Sequence, residues 1–382
     1  MKFVDEFRDP DKAQVLLREI RVLVGQIDVC RSRPLAVMEV CGGHTHAIFR
    51  YGIEGMLPEE IELVHGPGCP VCVLPMGRVD DCIAIAETPG TILTTFGDAM
   101  RVPGSKKSLL QARAEGADVR MVYSPLDALE LARRHPDKQV VFFALGFETT
   151  MPSTALTVLR AEADGITNFS LFCNHITIIP TIKAILDSPD FRIDGFLGPG
   201  HVSMVIGNAP YQFIAYHYQR PIVVAGFEPL DILHGLWMVL KQIAERRSAV
   251  ENQYSRIVPD AGNAVALDAI GRVFELREFF EWRGLGSIDH SGVRIRRAYA
   301  AYDAERRFQV ADAVIADPKA CQCGEVLKGV LKPWGCKVFG TDCTPETPMG
   351  ALMVSSEGAC AAYYRFGDRV KLSLKQAAAG RR

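Results

Sequence analysis

The sequence predicts an α/β protein: two similar parallel-sheet α/β domains with a cleft between them, plus a mixed helical C-terminal domain. Three observations carry this reading. From Pro34 to Pro229, short β-branched runs alternate with helix-periodic stretches, and most runs end in a glycine-bearing loop, the texture of parallel α/β units. Loop strings recur at one spacing: the interval from Cys41 to Gly66-Pro-Gly68 equals that from Cys173 to Gly198-Pro-Gly200. Beyond Pro229 the alternation stops, and five cysteines gather between Cys321 and Cys360.

Taken in order, residues 1–34 read as an N-terminal helical arm. Asp9-Pro-Asp11 starts a helix on which Leu16, Ile20, Leu23 and Ile27 recur at helical spacing. Residues 35–140 read as the first α/β domain, with strands at 35–40, 61–64, 91–95 and 119–122. Residues 141–228 read as the second, with strands at 140–144, 169–172, 195–197 and 221–225. A second echo, Gly146-Phe-Glu148 and Gly226-Phe-Glu228, supports a pair of related domains whose loops face one cleft. Residues 229–382 form the C-terminal domain, with one helix through Leu236, Val239, Leu240 and Ile243 and another over 264–281. Arg294, Arg296 and Arg297 read as a solvated basic face, and the end, with Lys371, Lys375, Arg381 and Arg382, as a frayed tail.

The 382 residues are enough for two or three domains, each with its own core. Lys plus Arg (43) nearly balances Asp plus Glu (45), so no global field points to nucleic acid or an anionic membrane. The charged start lacks a signal-peptide apolar core, and no run approaches transmembrane length, which predicts a cytoplasmic protein. In that compartment eleven cysteines favour metal or redox chemistry over a disulfide framework.

The chemistry concentrates between Cys41 and Cys72, where three cysteines and three histidines stand close together among glycines and prolines. In Cys41-Gly-Gly-His-Thr-His46, a soft thiolate with the imidazoles of His44 and His46 suits iron, zinc or copper. The two glycines leave room for a bulky complex. The plainer alternative is a buried thiol beside two hydrogen-bonded histidines. Cys69-Pro-Val-Cys72 brings two sulfurs within disulfide reach and fits a redox dithiol, or else half of a structural zinc site. Glu148, His201 and Glu228 each follow a strand, where they would hold the cleft, relay protons or orient Cys41, or serve only as loop residues. Cys30, Cys82 and Cys173 show no pairing pattern and read as small apolar fillers.

In the C-terminal block, Cys321-Gln-Cys323, Cys336, Cys343 and Cys360 come with no histidine among them. An all-thiolate site fits a [4Fe-4S] cluster or a structural zinc. The irregular gaps from Cys323 to Cys336, to Cys343 and to Cys360 are unlike paired zinc knuckles and favour a C-terminal iron–sulfur domain.

These strings, in order, resemble the HypD family of hydrogenase formation proteins, over nearly the whole chain. The likeness rests on Cys41-Gly-Gly-His-Thr-His46, Gly66-Pro-Gly-Cys-Pro-Val-Cys72, Gly146-Phe-Glu-Thr-Thr150 and Gly198-Pro-Gly-His-Val-Ser203. It continues through Cys343-Thr-Pro-Glu346 and the stretch from Met353 to Tyr363. The resemblance implies a scaffold that, with a HypC-type chaperone, holds an iron while two cyanides and one carbon monoxide are attached. Cyanide would come from a HypE-type partner, and the finished Fe(CN)2CO unit would pass to the large subunit of a nickel–iron hydrogenase. It implies Cys41 as the iron thiolate with His44 its neighbour, Cys69 and Cys72 as the redox dithiol, and Glu357 within the last motif. It further implies Cys323, Cys336, Cys343 and Cys360 as ligands of a [4Fe-4S] cluster that relays electrons. The family's pattern has a cysteine where this chain has Leu352, so Cys321 stands as a substitute ligand and the choice between Cys321 and Cys323 stays open. Two rivals use fewer of these features: a stand-alone iron–sulfur disulfide reductase, and a structural zinc protein that binds a partner through its cleft.

Overall fold

All eight runs expected as strands form strands, and a ninth follows them: β1 (Leu35–Glu39), β2 (Ile61–His65), β3 (Thr91–Thr95), β4 (Val119–Met121), β5 (Gln139–Gly146), β6 (Phe169–His175), β7 (Gly195–Pro199), β8 (Ile222–Ala225) and β9 (Val250–Asn252). The computed structural model describes residues 5–27, 33–311 and 313–367, so Cys30 and the C-terminal tail lie outside the described residues. Helices connect the strands: α1 (Pro10–Gln26) precedes β1, then come α2 (Gly42–Arg50), α3 (Met76–Glu87), α4 (Leu109–Ala114), α5 (Pro125–Arg134), α6 (Met151–Ala163), α7 (Ile178–Leu186), α8 (Gly200–Ile206), α9 (Gln212–His217) and α10 (Pro229–Ala244). The strands are readable because most are covered on both faces and so are spelled as short runs rich in apolar and β-branched residues; β1, β3, β6 and β7 are buried throughout.

Two separate parallel sheets result, one in the order β2-β1-β7-β8-β9 and the other β4-β3-β5-β6. Each has its second strand outside its first and the later strands on the far side, so the two are alike in topology. They do not part at residue 140. The second sheet takes all its strands from 91–175, inserted between β2 and β7 of the first, and Val37 pairs with Gly195 across that insertion. Nor do the string echoes mark equivalent strands. Cys41 follows β1, whereas Cys173 sits inside β6, where its thiol donates to the Val293 carbonyl at 3.4 Å.

The N-terminal arm docks through α1. The Asp9 carboxylate accepts the N–H groups of Asp11 and Lys12 to cap this helix, and Leu17, Ile20 and Val24 share an apolar cluster with Leu233, Leu236 and Leu240 of α10. Beyond α10, the helix expected over 264–281 stops early. Helix α11 (Ala264–Val273) gives way to β10 (Phe274–Leu276) and a hairpin of β11 (Phe279–Trp282) with β12 (Gly286–Asp289), and β13 (Val293–Ile295) returns to pair with β10. The reason is aromatic content: Phe280 and Trp282 are buried on one face of β11, a pattern of period two that overrides helical propensity. Arg294, Arg296 and Arg297 are exposed, the first two beside Glu275.

The cysteine-rich segment lies against both sheets. Helix α12 (Ala304–Arg307) offers Glu305 to two guanidinium groups, the buried Arg78 of α3 and the partly buried Arg277. Helix α13 (Cys323–Leu327) packs on β2, and Lys332 nearby donates to the Leu63 carbonyl at 2.6 Å. No helix among the described residues is long and apolar enough to cross a membrane.

Candidate functional site

In each sheet the strand order reverses once, between β1 and β7 in the first and between β3 and β5 in the second. The carboxyl ends of strands at such a switch point leave a crevice, because the connecting helices depart to opposite faces. Here the two crevices share one cleft of about 240 Å3, lined by the loops after all four of those strands. Cys41 follows β1, Asp98 follows β3, Phe147 and Thr150 follow β5, and His201 follows β7. Glu357, from the C-terminal segment, completes the wall.

Cys41 is the residue before α2 and has extended backbone angles. Its N–H donates to Glu39 Oε2 at 2.9 Å, and Glu39 Oε1 accepts from the Thr45 hydroxyl and from His65 Nδ1, the latter at 2.8 Å. Glu39 is wholly buried, so its carboxyl oxygens need these donors: a buried polar group left without partners costs about 1–3 kcal/mol. The loop after β2 locks onto the same turn: Gly42 N–H donates to the Gly68 carbonyl at 3.0 Å. A Cβ on Gly68 would run into the Cys41 backbone, and one on Gly42 would sit 2.5 Å from Glu357 Oε2. Glycine is required at both by close approach.

His44 Nε2–H donates to the carbonyls of Ala225 and Gly226 at 3.1 and 3.0 Å, which fixes the tautomer and leaves Nδ1 buried without a partner. Its ring stacks on Phe227 at 4.7 Å, and Phe227 stacks on His201 at 3.8 Å. Burial lowers both imidazoles, His201 to about 4, so both are neutral. Burial pushes the Cys41 thiol up to about 12, and burial together with the charges of Asp98 and Glu39 raises the Glu357 carboxyl to about 7. His44 and His46 stand two residues apart on α2, about 200° around the helix, so they do not converge with Cys41 on one point. Among the described residues no three His, Cys, Asp or Glu side chains form a ready single-ion site.

Cys69 and Cys72 form a disulfide with Cα atoms 5.3 Å apart, both ends buried. Directly behind it lies the last motif: a Cβ on Gly358 would approach Cys72 Sγ to 2.9 Å, two residues before Cys360. The other cysteines gather there too. Cys321 and Cys323 sulfurs are 3.1 Å apart, and a Cβ on Gly350 would collide with both. Met349 N–H, next to Gly350, donates to Cys343 Sγ at 3.4 Å, and Gln322 accepts the N–H of Lys337, which follows Cys336. A glycine-floored set of thiols with no carboxylate or imidazole among them fits an iron–sulfur cluster in donor type.

Of the three strand-following side chains, His201 alone faces the cleft. Glu148 turns inward, accepting the Ile178 N–H at 3.0 Å, and Glu228 turns outward to Arg8 at 2.5 and 2.9 Å. Sequence reasoning left Glu39, Thr45, His65, Asp98 and Phe227 without roles. Glu39 did carry a signal, as a lone carboxylate within Leu35-Ala-Val-Met-Glu-Val40, since a charge in a buried strand needs partners.

Residues 11–367 match the family model described as HypD, Hydrogenase formation hypA family. The chain is 61% identical over 371 residues to the Hydrogenase maturation factor HypD of Rhodobacter capsulatus, covering 96% of this chain and 98% of that one. It is 56% identical over 366 residues to the protein of the same name from Escherichia coli (strain K12), covering 96% and 98%. The Azotobacter vinelandii protein of that name is 52% identical over 373 residues, covering 96% and 97%.

Proposed function

The chain belongs to the HypD family, and on that premise we propose that it is a hydrogenase maturation factor on which, with other Hyp proteins, the Fe(CN)2CO unit is assembled at Cys41. The supporting observation is the shared cleft: a thiol at one switch point, faced by Glu357 and His201, with a disulfide packed against the neighbouring segment. Its volume of about 240 Å3 equals roughly eight waters, enough for an iron with three diatomic ligands. In this reading a HypC-type chaperone supplies the remaining ligands from the open side of the cleft, and a HypE-type partner supplies cyanide.

Each residue then has a task. Cys41 stays protonated while empty and binds iron as the thiolate, because a metal ion displaces the proton. Glu357, over Gly42, is placed to take that proton. Glu39 and Thr45 hold the turn so that the sulfur does not need to reorganise. His44 and Phe227 wall off one side with a neutral, apolar face. Reduced beforehand by an external two-electron donor, the Cys69–Cys72 pair would be a dithiol that releases two electrons and two protons as its disulfide re-forms, which suits a site where cyanide and carbon monoxide demand low-valent iron. Cys323, Cys336, Cys343 and Cys360 would hold a [4Fe-4S] cluster, which supplies one-electron storage when bound. The rival disulfide reductase is disfavoured by burial: Cys69 and Cys72 are 3% and 1% exposed, which leaves no surface for a client's disulfide.

The test is anaerobic purification with a HypC-type chaperone, followed by metal analysis and infrared spectroscopy. About five irons per chain, four of them in the cluster, are expected, with cyanide and carbon monoxide stretches lost in Cys41→Ala. Absence of those bands from the wild-type complex would overturn the assembly reading.

A further inference from the structure

Asp231 stands in the first turn of α10 and is wholly buried, a costly place for a carboxylate unless it is paired. Arg256 grips both its oxygens, Nη1 on Oδ1 at 2.8 Å and Nη2 on Oδ2 at 2.6 Å, the planar fork that a guanidinium makes with a carboxylate. The guanidinium lies in turn against the rings of Phe7, 3.8 Å away in the N-terminal arm, and Tyr254, 4.5 Å away. Gln253, just after β9, donates from Nε2 to Asp231 Oδ1 at 2.9 Å. A buried ion pair often adds little net stability. What this one does is hold a loop.

The loop is the one after β8, and it carries the carbonyls of Ala225 and Gly226 that accept His44 Nε2–H. Because a peptide group is planar, whatever fixes its N–H also fixes the carbonyl on its opposite side. Gly226 N–H, in the same peptide as the Ala225 carbonyl, donates to Gln253 Oε1 at 3.1 Å. Glu228 N–H, two peptides on, donates to Asp231 Oδ2 at 3.3 Å. The peptide between them, which bears the Gly226 carbonyl, is thereby pinned at both ends. It also packs on the same carboxylate: a Cβ on Gly226 would lie 2.4 Å from Asp231 Oδ2 and 2.7 Å from Tyr254 Cδ2, so only glycine fits. Both acceptors of the His44 ring therefore trace back to one carboxylate, while His44 Nδ1 is buried without a partner.

We propose that Asp231, paired with Arg256 and bridged by Gln253, is a positioning residue for His44: it aims the Ala225 and Gly226 carbonyls so that Nε2 carries the proton and Nδ1 keeps a free lone pair. The inference rests on the assembly reading above, in which His44 is a neighbour of the Cys41 site. A neutral imidazole has one donor and one acceptor nitrogen, and the hydrogen bond the ring already makes decides which is which. With Nε2–H committed to the two carbonyls, His44 can only accept at Nδ1. Any group that reaches that nitrogen is met by a lone pair, and a second acceptor is turned away.

The experiment uses the full chain with nitrogen-15-labelled histidines and reads ring tautomers from long-range proton–nitrogen correlation spectra at neutral pH. His44→Gln identifies the His44 signals by their loss. Wild type should show Nε2 protonated and Nδ1 bare. In Asp231→Asn and in Gln253→Leu, the ratio of Nε2–H to Nδ1–H tautomers should fall about tenfold, the scale of one net hydrogen bond. Trp282→Phe, which loses the bond from Trp282 Nε1 to Ser291 in the β11–β12 hairpin, should keep the wild-type ratio although it is destabilised. A purely structural role for Asp231 predicts lost stability with no change of tautomer. Wild-type ratios in both folded variants, or an equal shift in Trp282→Phe, would overturn the proposal. If Asp231→Asn does not fold, Gln253→Leu, which leaves the Asp231–Arg256 pair intact, decides alone. The same chains, purified with the HypC-type chaperone, are then read by infrared spectroscopy. Their cyanide and carbon monoxide bands should weaken as the ratio falls, and full-strength bands beside a shifted ratio also overturn the proposal. A wild-type complex without those bands removes the assembly reading, whereas the tautomer ratio still judges Asp231 by itself.

Discussion

Gly146-Phe-Glu148 and Gly226-Phe-Glu228 are the same three residues after the same kind of parallel strand, yet they are used in opposite ways. Strand β5 borders the switch point of its sheet, so its loop enters the cleft, and Glu148 is held beneath that loop with one oxygen on the Ile178 N–H and the other without a partner. Strand β8 lies one place further out, so its loop serves the rim. There Phe227 reaches in to separate His44 from His201, while Glu228 turns out to fasten Arg8 of the N-terminal arm. What decides the use of a loop is the position of its strand in the sheet, which no local string records.

The same contrast holds between the two switch points, and it can be broken at two glycines. Gly68 faces the Cys41 backbone, which has nowhere to go, whereas a Cβ on Gly97 meets only the flexible Met121 sulfur at 2.8 Å. Gly68→Ala should cost at least the upper end of the ~1–3 kcal/mol typical of overpacking and abolish maturation activity. Gly97→Ala should leave both nearly unchanged. Denaturant melts and in vivo hydrogenase activity read the pair, and a Gly68→Ala chain of wild-type stability would contradict the locked-loop picture.

A second comparison isolates the two glutamates. Burial raises the Glu148 carboxyl from 4.5 to about 7, so the folded chain retains a proton that the unfolded chain has lost. Stability from this group is therefore fully present below about pH 4.5 and is lost as pH rises through 7, by about 3 kcal/mol in all. Glu148→Gln should match wild type at pH 5 and melt at higher temperature at pH 8. Glu228→Gln should change the melting temperature little at either pH, with any effect shrinking in salt, because its partner is an exposed guanidinium. Equal pH profiles for the two variants would erase the distinction.

The strands were legible because burial on both faces writes them as short runs rich in apolar and β-branched residues, and Cys41, Cys69, Cys72 and His201 stood out because glycine and proline surround them. The helix expected through 274–281 stops at Val273 because buried Phe280 and Trp282, two residues apart, share one face only in a strand. Sheet membership was not legible at all. A shared spacing between cysteine and Gly-Pro-Gly is a property of strings, whereas Val37 finds Gly195 only through long-range pairing. Glu39 and His65 belong to that same class, since each takes its meaning from a partner distant in sequence.

The insertion of one sheet inside the other also sets an order in time. Strands β3 to β6 are contiguous and close their sheet from local chain, but β1 must wait for β7, because Val37 pairs with Gly195 and the whole second sheet is synthesised between them. At ~5–20 residues per second this is a delay of roughly 10–30 s. During it the Cys41 turn has no β7 loop, no Phe227 and no Glu357 around it. Protease digestion of released chains truncated at residue 190 should find β3 to β6 protected and the 35–65 segment cut; protection of that segment would refute this order. The thiol thus acquires its surroundings late, and a chain released too soon carries a finished second sheet and no closed cleft around Cys41.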